Sequence, residues 1–268
     1  MSAVTQPATE RSRPGFVRRF LRHRLAAFGF FAILALLAAC IVGPWLLPFT
    51  DTQIDMRARF TPPFAGIHLF GTDPMGRDTL ARVLMAGRIS LSIGISAMLV
   101  SMLIGVLVGI VAGFYGGIVG TALMRFVDAM LCFPSIFLLL AVSALISPSV
   151  PAIVMLIALT SWMEVARVVE AQTRSLKTRE FTLAAYAYGA GNARLMFREI
   201  LPNAVAPIVV AATLNVANAI LAESYISFLG FGIQPPTPSW GNMLNNAQSY
   251  LSNAPWLASS RASPSPWP

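Results

Sequence analysis

The side chains able to do chemistry are few in this 268-residue chain, and they are scattered. There are two histidines, His23 and His68, and two cysteines, Cys40 and Cys132, beside eleven carboxylates. A histidine-rich metal site cannot be built from that set, and both cysteines fall inside apolar stretches where they read as small packing residues. No G-x-x-x-x-G-K-[ST] loop is present to cradle a nucleotide phosphate. Gly189-Ala190-Gly191 begins like a dinucleotide fingerprint, but Arg194 stands at the third glycine position and no strand precedes it. G-x-S-x-G, H-E-x-x-H and paired-cysteine spacings are missing too. No catalytic and no metal residues are therefore expected, and an energy source must be a gradient or another subunit.

What remains are charges near apolar runs. Glu223 falls late in a long apolar stretch with no cation nearby in sequence, and an intramembrane carboxylate normally faces a bundle interior or an aqueous path. Asn215 and Asn218 lie on related turns of the same helix. The three are candidates for lining a translocation path or an interface with a partner, with helix–helix hydrogen bonding as the plainer alternative for the asparagines. Arg125 and Asp128 are one helical turn apart and are expected to pair locally, and Glu164, Arg167 and Glu170 to form a ladder at three-residue spacing. Asp73-Pro74-Met75-Gly76 reads as a turn. Asp78 and Arg82 then follow four apart on a helix.

The elements that must position these residues are membrane helices. Charged residues make up 11% of the chain and apolar residues 56%, with a mean hydropathy of +0.69. A soluble chain carries about 25% charged residues, and one of this size could not cover its surface with so few. The net charge of +8 is concentrated, with six arginines between Arg11 and Arg24, which marks a basic membrane-flanking arm rather than a nucleic-acid surface.

Five apolar runs are long enough to cross about 30 Å of hydrocarbon: 26–47, 89–115, 126–146, 150–168 and 204–228. The first follows a basic arm but is too long for a signal core and stays as an anchor. The second carries Gly105, Gly109, Gly113 and Gly117 at spacings of four, a stripe that lets another helix approach closely. With the N-terminus cytoplasmic, 1–25, about 116–125 and about 169–203 lie inside, while 48–88, 147–149 and everything past 229 lie outside. The excess of cations in 169–203 and the lack of any charge between Gly230 and Ala258 agree with that orientation.

The inner segment 169–203 reads as two helices. Thr178 caps the first, Gly189 ends it, and Pro202 stops the second before the fifth run. Small residues at the elbow suit docking into a groove on a partner; an amphipathic connector lying on the lipid is the other reading.

Here the chain resembles a known family. Ala184-Ala185-x-x-x-Gly189 followed by Ile200-Leu201-Pro202 is similar to the Glu-Ala-Ala loop of ABC importer permeases. Gly71-Thr72-Asp73-Pro74-Met75-Gly76-Arg77-Asp78 resembles the G-T-D-x-x-G-R-D signature of the dipeptide, oligopeptide and nickel branch. Met124 to Asp128 with Phe133-Pro134, Leu221-Ala222-Glu223 running into Ser227 to Gly230, and 235–241 are further matches. The likeness spans about residues 15 to 258.

The resemblance implies an all-α polytopic membrane protein with the type I ABC importer transmembrane-domain fold, in the bacterial inner membrane. Its parts would be a basic arm (1–25), a first span (26–47), an external loop (48–88), a permease core (89–258) with the coupling loop at about 171–203, and a Ser/Pro-rich tail (259–268). It implies a second, different permease subunit, two ATPase subunits that carry ATP and Mg, an external solute-binding protein, and no nucleic acid. Glu180, Leu183, Ala184, Ala185, Gly189, Ile200, Leu201 and Pro202 would couple to the ATPases. Peptides are the expected cargo, with nickel, glutathione and sugars as minority outcomes.

Two departures stand out: Leu183 occupies the place of the loop's usual glutamate, with Glu180 one turn earlier as a substitute, and the tail replaces the family's sixth span, as a truncation or shifted frame would. The rival readings are a gradient-driven secondary transporter, which would need inverted repeats that the sequence lacks, and a non-transporting truncated scaffold.

Overall fold

The computed structural model describes residues 20, 22–250, 254 and 257. Most of the basic arm and the whole of the 259–268 tail lie outside them. Four long apolar helices organise the rest: α1 (Arg24–Leu46), α2 (Thr79–Tyr115), α5 (Val150–Lys177) and α7 (Val205–Phe228). Between α2 and α5 come α3 (Gly117–Leu131) and α4 (Ser135–Ser143), bent by 76° against each other. A short helix α6 (Glu180–Ala187) follows α5, and α8 (Trp240–Gln248) follows α7.

The glycine stripe decides the arrangement. A Cβ on Gly105 would meet Val165 Cβ at 2.6 Å, one on Gly109 Val169 Cβ at 2.7 Å, and one on Gly113 Thr173 Cβ at 2.7 Å. Both partners advance by four together, so α2 and α5 run parallel, with backbones close enough that only glycine fits. Ser101 adds a hydrogen bond to Ala158 O (3.3 Å) in the same register. Gly117 has no part in the seam, because α2 ends at Tyr115 and the chain turns at Gly116.

Two parallel helices in succession require the chain to return between them, so α3 and α4 together make one crossing. The third apolar run is therefore broken rather than continuous. Pro134 accounts for the break, since it cannot donate an N–H into the preceding turn; it precedes α4 directly, with an extended backbone at φ −60° and ψ 117°. α1 and α7 both run antiparallel to α2: Cys40 faces Gly87 and Gly43 faces Leu84, while Glu223 reaches Ser90 and Ile220 lies against Gly94. The N-terminal end of α1, the end of α2, α6 and the start of α7 thus share one face, the grouping that the apolar runs predict.

The antiparallel register brings Arg24 to about the level of Leu103, so α2 extends roughly 18 Å past the end of α1. The glycine seam lies in this projecting stalk, and so do Arg167, Glu170, Arg174 and Lys177. Charges that read from sequence as lying at the ends of spans stand beyond the first span's limit, where their hydration costs nothing. Lys177 Nζ donates to Phe114 O at 2.5 Å and sits 5.2 Å from the Phe114 ring centre, closing the stalk's tip.

Three buried clusters hold the bundle. Ile93, Ala97, Leu139, Ile153, Ile157, Ala219 and Ile226 join α2, α4, α5 and α7 in the membrane zone. Ile110, Phe114, Val165 and Val169 with Leu195, Met196 and Ile200 bind the stalk to the returning chain. Val127, Trp162, Met163 and Ala166 seat α3 on α5. α1 buries only Cys40, leaving its apolar sides free for lipid.

Replacing Gly109 by alanine is expected to cost about 1–3 kcal/mol and lower the unfolding temperature of the detergent-solubilised chain by several degrees. Gly29→Ala, where nothing lies within 4 Å, should leave it unchanged; equal melting of the two variants would refute the seam.

Candidate functional site

At the end of the bundle away from the stalk's tip the G-T-D-x-x-G-R-D residues fold on themselves. Asp73 Oδ1 accepts from the N–H groups of Met75 (2.8 Å) and Arg77 (2.9 Å), and Oδ2 from Arg77 Nε (2.6 Å). The turn closes with Gly76 N–H on Asp73 O at 2.9 Å, as the sequence reading has it. Gly76 has φ +75°, and a Cβ there would collide with Asp55 O. Gly71 (φ +72°) also lies close, a Cβ there meeting Thr61 O, and Thr72 Oγ1 donates to Ala58 O while accepting from Thr61 N–H (2.9 Å).

Asp78 does not pair with Arg82. Its Oδ1 caps α2 by accepting from Ala81 N–H (2.8 Å), and its Oδ2 meets His68 Nδ1 at 2.9 Å. That cap starts α2 at Thr79, ten residues before the apolar run begins. Arg82 turns instead toward Asp73, 3.7 Å away, and donates to Asp51 O at 3.4 Å. The signature is thus an internally braced knot with Asp73, Asp78 and Thr72 all buried.

The α7 residues do not act as one group. Glu223 is fully buried, accepting from Ser90 Oγ (2.8 Å) and Ser227 Oγ (2.7 Å). Each serine also accepts a backbone N–H, Ser90 from Trp240 (3.3 Å) and Ser227 from Ile233 (3.1 Å). The carboxylate therefore ties α7 to α2 and to the chain leading into α8, inside this chain rather than on a path or subunit interface. Asn215 is buried and donates to Ser161 O at 3.4 Å, whereas Asn218, three residues on, is exposed. Of the three, Asn218 alone presents its side chain outward.

At the opposite face the 178–203 segment follows the stalk's tip. Thr178 ends α5 rather than capping α6; its Oγ1 donates to Ser175 O at 3.1 Å. Thr182, buried, donates to Leu176 O at 2.9 Å and fixes α6 against α5. Gly189 ends α6 with φ +81°, as its position in the sequence predicts. The chain then runs through Asn192–Arg194, a π-helical turn at Leu195–Ile200, and Leu201–Asn203. Pro202 does not stop the helix as expected from the sequence: it stands in the first turn of Leu201–Asn203, where a missing N–H is tolerated, and the break before α7 falls at Ala204.

The proposed coupling residues divide in two. Ala185, Ile200 and Leu201 pack inward on the stalk. Glu180, Leu183, Ala184, Gly189 and Pro202 are exposed, Leu183 by 55%, and beside them Phe181, Tyr186 and Tyr188, which the sequence reading did not single out, are exposed too, Tyr188 by 92%. Exposed aromatic and aliphatic side chains this concentrated mark an interaction surface.

Of the remaining ion pairs among the described residues, one crosses helices and two are local. Asp128 bonds Arg167 of α5 rather than Arg125, and Glu170 pairs with Arg174 on its own helix (3.3 Å), so no three-residue ladder forms. Arg194 and Glu199 lie 3.6 Å apart. The sequence reading missed Ser90 and gave Ser227 and Trp240 no role beyond their place in the family motifs; the Trp240 contact spans 157 residues.

Apolar helices long enough to cross a bilayer, a braced knot at one end and an exposed apolar apex at the other belong to a polytopic membrane protein. Residues 105–260 match the family model described as the inner membrane component of binding-protein-dependent transport systems, and residues 15–63 that of the N-terminal TM domain of oligopeptide transport permease C. Among curated relatives, the oligopeptide transport system permease protein OppC of Salmonella typhimurium is 43% identical over 242 residues, 90% of this chain and 80% of the relative. The di/tripeptide transport system permease protein DppC of Pseudomonas aeruginosa is 36% identical over 249 residues, 91% and 82% of the two chains. A protein of Brucella suis, provisionally named a peptide permease, is 40% identical over 252 residues, 93% and 83%. The chain belongs to the family of binding-protein-dependent transport system inner membrane components, and is a multi-pass transmembrane permease of an ABC importer.

Gly76→Ala is expected to open the outer knot, raising proteolytic cleavage between residues 55 and 78. Gly66→Ala, at a similar φ of +67° but with nothing within 4 Å, should cut no faster than the parent; equal cleavage of both would show that backbone strain, not the Asp55 contact, governs the knot.

Proposed function

We propose that this permease passes peptides or similar small solutes across the inner membrane, in a complex with a second permease subunit, two ATPase subunits and an external solute-binding protein. The observation that carries the coupling part is the apolar apex at the tip of the stalk. Held clear of the level at which α1 ends, Phe181, Leu183, Tyr186 and Tyr188 are poorly placed to lie on lipid and well placed to enter a groove on a protein. This favours the docking reading of the 178–202 loop over the amphipathic connector. ATP and Mg would be held by the ATPases, and this chain's part is mechanical: a push on α6 reaches α2 and α5 through Thr182 and the Leu195–Met196–Ile200 cluster.

The basic arm supports a cytoplasmic N-terminus, and therefore a cytoplasmic apex, since α1 begins on the stalk's face. Peptide cargo rests on the relatives named for oligopeptide and di/tripeptide transport. Asn218 is the α7 residue placed to border a path or a second permease, because its side chain leaves the bundle.

The test uses surface residues only, since Ala185 packs inward and its replacement would disturb the stalk. Leu183→Asp and Tyr186→Ser are expected to lower recovery of ATPase subunits on the purified permease by at least about tenfold, as loss of central apolar anchors does, with the permease's own unfolding temperature unchanged. Undiminished recovery would remove the apex from the coupling interface. Uptake of labelled peptide by reconstituted vesicles tests the cargo separately.

A further inference from the structure

On the outer face, between the braced knot and α8, lies a cavity of about 170 Å³ bordered by Thr79, Arg82, Met243, Asn246 and Tyr250. Two polar groups on its wall are left incomplete. Arg82 is 3% exposed, yet among the described residues its guanidinium makes one long hydrogen bond, to Asp51 O at 3.4 Å. Its Nε stands 3.7 Å from Asp73 Oδ2, beyond hydrogen-bond reach, and Asp73 already accepts three shorter bonds. Thr79 Oγ1 is buried without a partner among the described residues. Buried donors are normally satisfied, and a guanidinium offers five N–H groups in a planar fork suited to a carboxylate. The rest of the wall is largely apolar, with Met75, Pro235, Met243 and Leu257.

We infer that this cavity is a carboxylate subsite on the outer face. A carboxylate at the end of a short apolar stem accepts from the open Arg82 donors and from Thr79 Oγ1, while its stem lies against the methionine and proline side chains. Among the described residues lining the cavity Asp73 is the one carboxylate, and it is engaged by Arg77 and the backbone, so the lining favours an acid over an ammonium group. Such a carboxylate can be the C-terminus of a peptide or an acidic side chain presented from outside. The subsite does not rest on the transport reading, because it is tested on the permease by itself.

The experiment is calorimetric titration of the full chain in nanodiscs with three capped probes: N-acetyl-Ala-Ala with a free C-terminus, its C-terminal amide, and N-acetyl-Glu amide. Binding of the free acid but not of its amide is expected. Binding of the glutamate probe as well assigns the site to carboxylates in general, and its failure assigns it to chain termini. Thr79→Val, which keeps the shape and removes the orphaned hydroxyl, should weaken the acid probe about fivefold without lowering the unfolding temperature. Arg82→Lys, which keeps the charge but loses the fork, should weaken it at least about tenfold. Equal binding of acid and amide, no binding of either, or Thr79→Val binding as the parent does would each overturn the proposal.

Discussion

Everything else in this chain follows from α2 and α5 lying parallel with their backbones almost touching. Three glycines on α2 face Val165, Val169 and Thr173 on α5, and parallel packing of successive long helices forces the chain between them to return across the bilayer. The return is made with 24 helical residues, the 15 of α3 and the 9 of α4, broken by a 76° bend. Those residues would cover about 36 Å if straight, so the bend leaves little excess for a loop, and the connection at 144–149 is short. The same seam, running beyond the end of α1, builds a stalk from two helices that cannot slide without driving a β-branched side chain out of its glycine gap and against a larger neighbour. On the coupling reading proposed above, a displacement at its tip would be delivered to the membrane zone as a rigid-body motion.

How much of this was legible in the sequence depended on the range of the interaction. The five apolar runs give the crossings, because crossing hydrocarbon imposes a length on each segment. The glycine spacing shows that a close partner exists but not which helix, since any helix with small or β-branched residues at four-residue spacing would do. Local charge pairing failed in two places. Asp128 and Asp78 each had a near neighbour in sequence, yet found Arg167, and His68 with the α2 cap, whereas Glu170 did pair locally, with Arg174 four residues on rather than Arg167 three before. A helical turn brings two side chains near each other, but a partner on a packed helix competes on equal terms once the bundle forms. Glu223 was legible as a special residue and illegible as to role, because Ser90, 133 residues away, is what turns an intramembrane carboxylate into a fastener.

The two ends use opposite chemistry. At the knot end, polar side chains are consumed by the chain itself: Asp73 by its own turn, Asp78 by a helix start and His68, Asn242 by a capping box with Ser239 and by the carbonyls of Ile233 and Thr237. Trp240 lays its ring against Gly87 of α2, which Cys40 of α1 also approaches, with its Nε1–H on Val83 O at 3.3 Å. Such a face resists deformation and offers a partner few free groups, which is why the incomplete bonding of Arg82 and Thr79 stands out. At the stalk end, the apolar side chains of α6 are left unburied.

On the docking reading proposed above, Leu183 carries this contrast into the contact with the ATPase. Where related loops place a glutamate, a carboxylate would have to be stripped of water and re-paired on docking, a cost that a buried ion pair often fails to recover in full. A leucine at that position, already 55% exposed beside Phe181 and Tyr186, gains free energy from every square ångström covered, at about 25 cal/mol per Å². The exchange replaces a charge contact sensitive to geometry and salt with a contact that depends on shape. Glu180, exposed on the first turn of α6, remains at the rim, where a carboxylate keeps its hydration and steers approach more than it adds to affinity. An apolar centre with a charged edge is the division of labour that soluble interfaces use, and on this chain it follows from a single residue exchange one turn along the same helix.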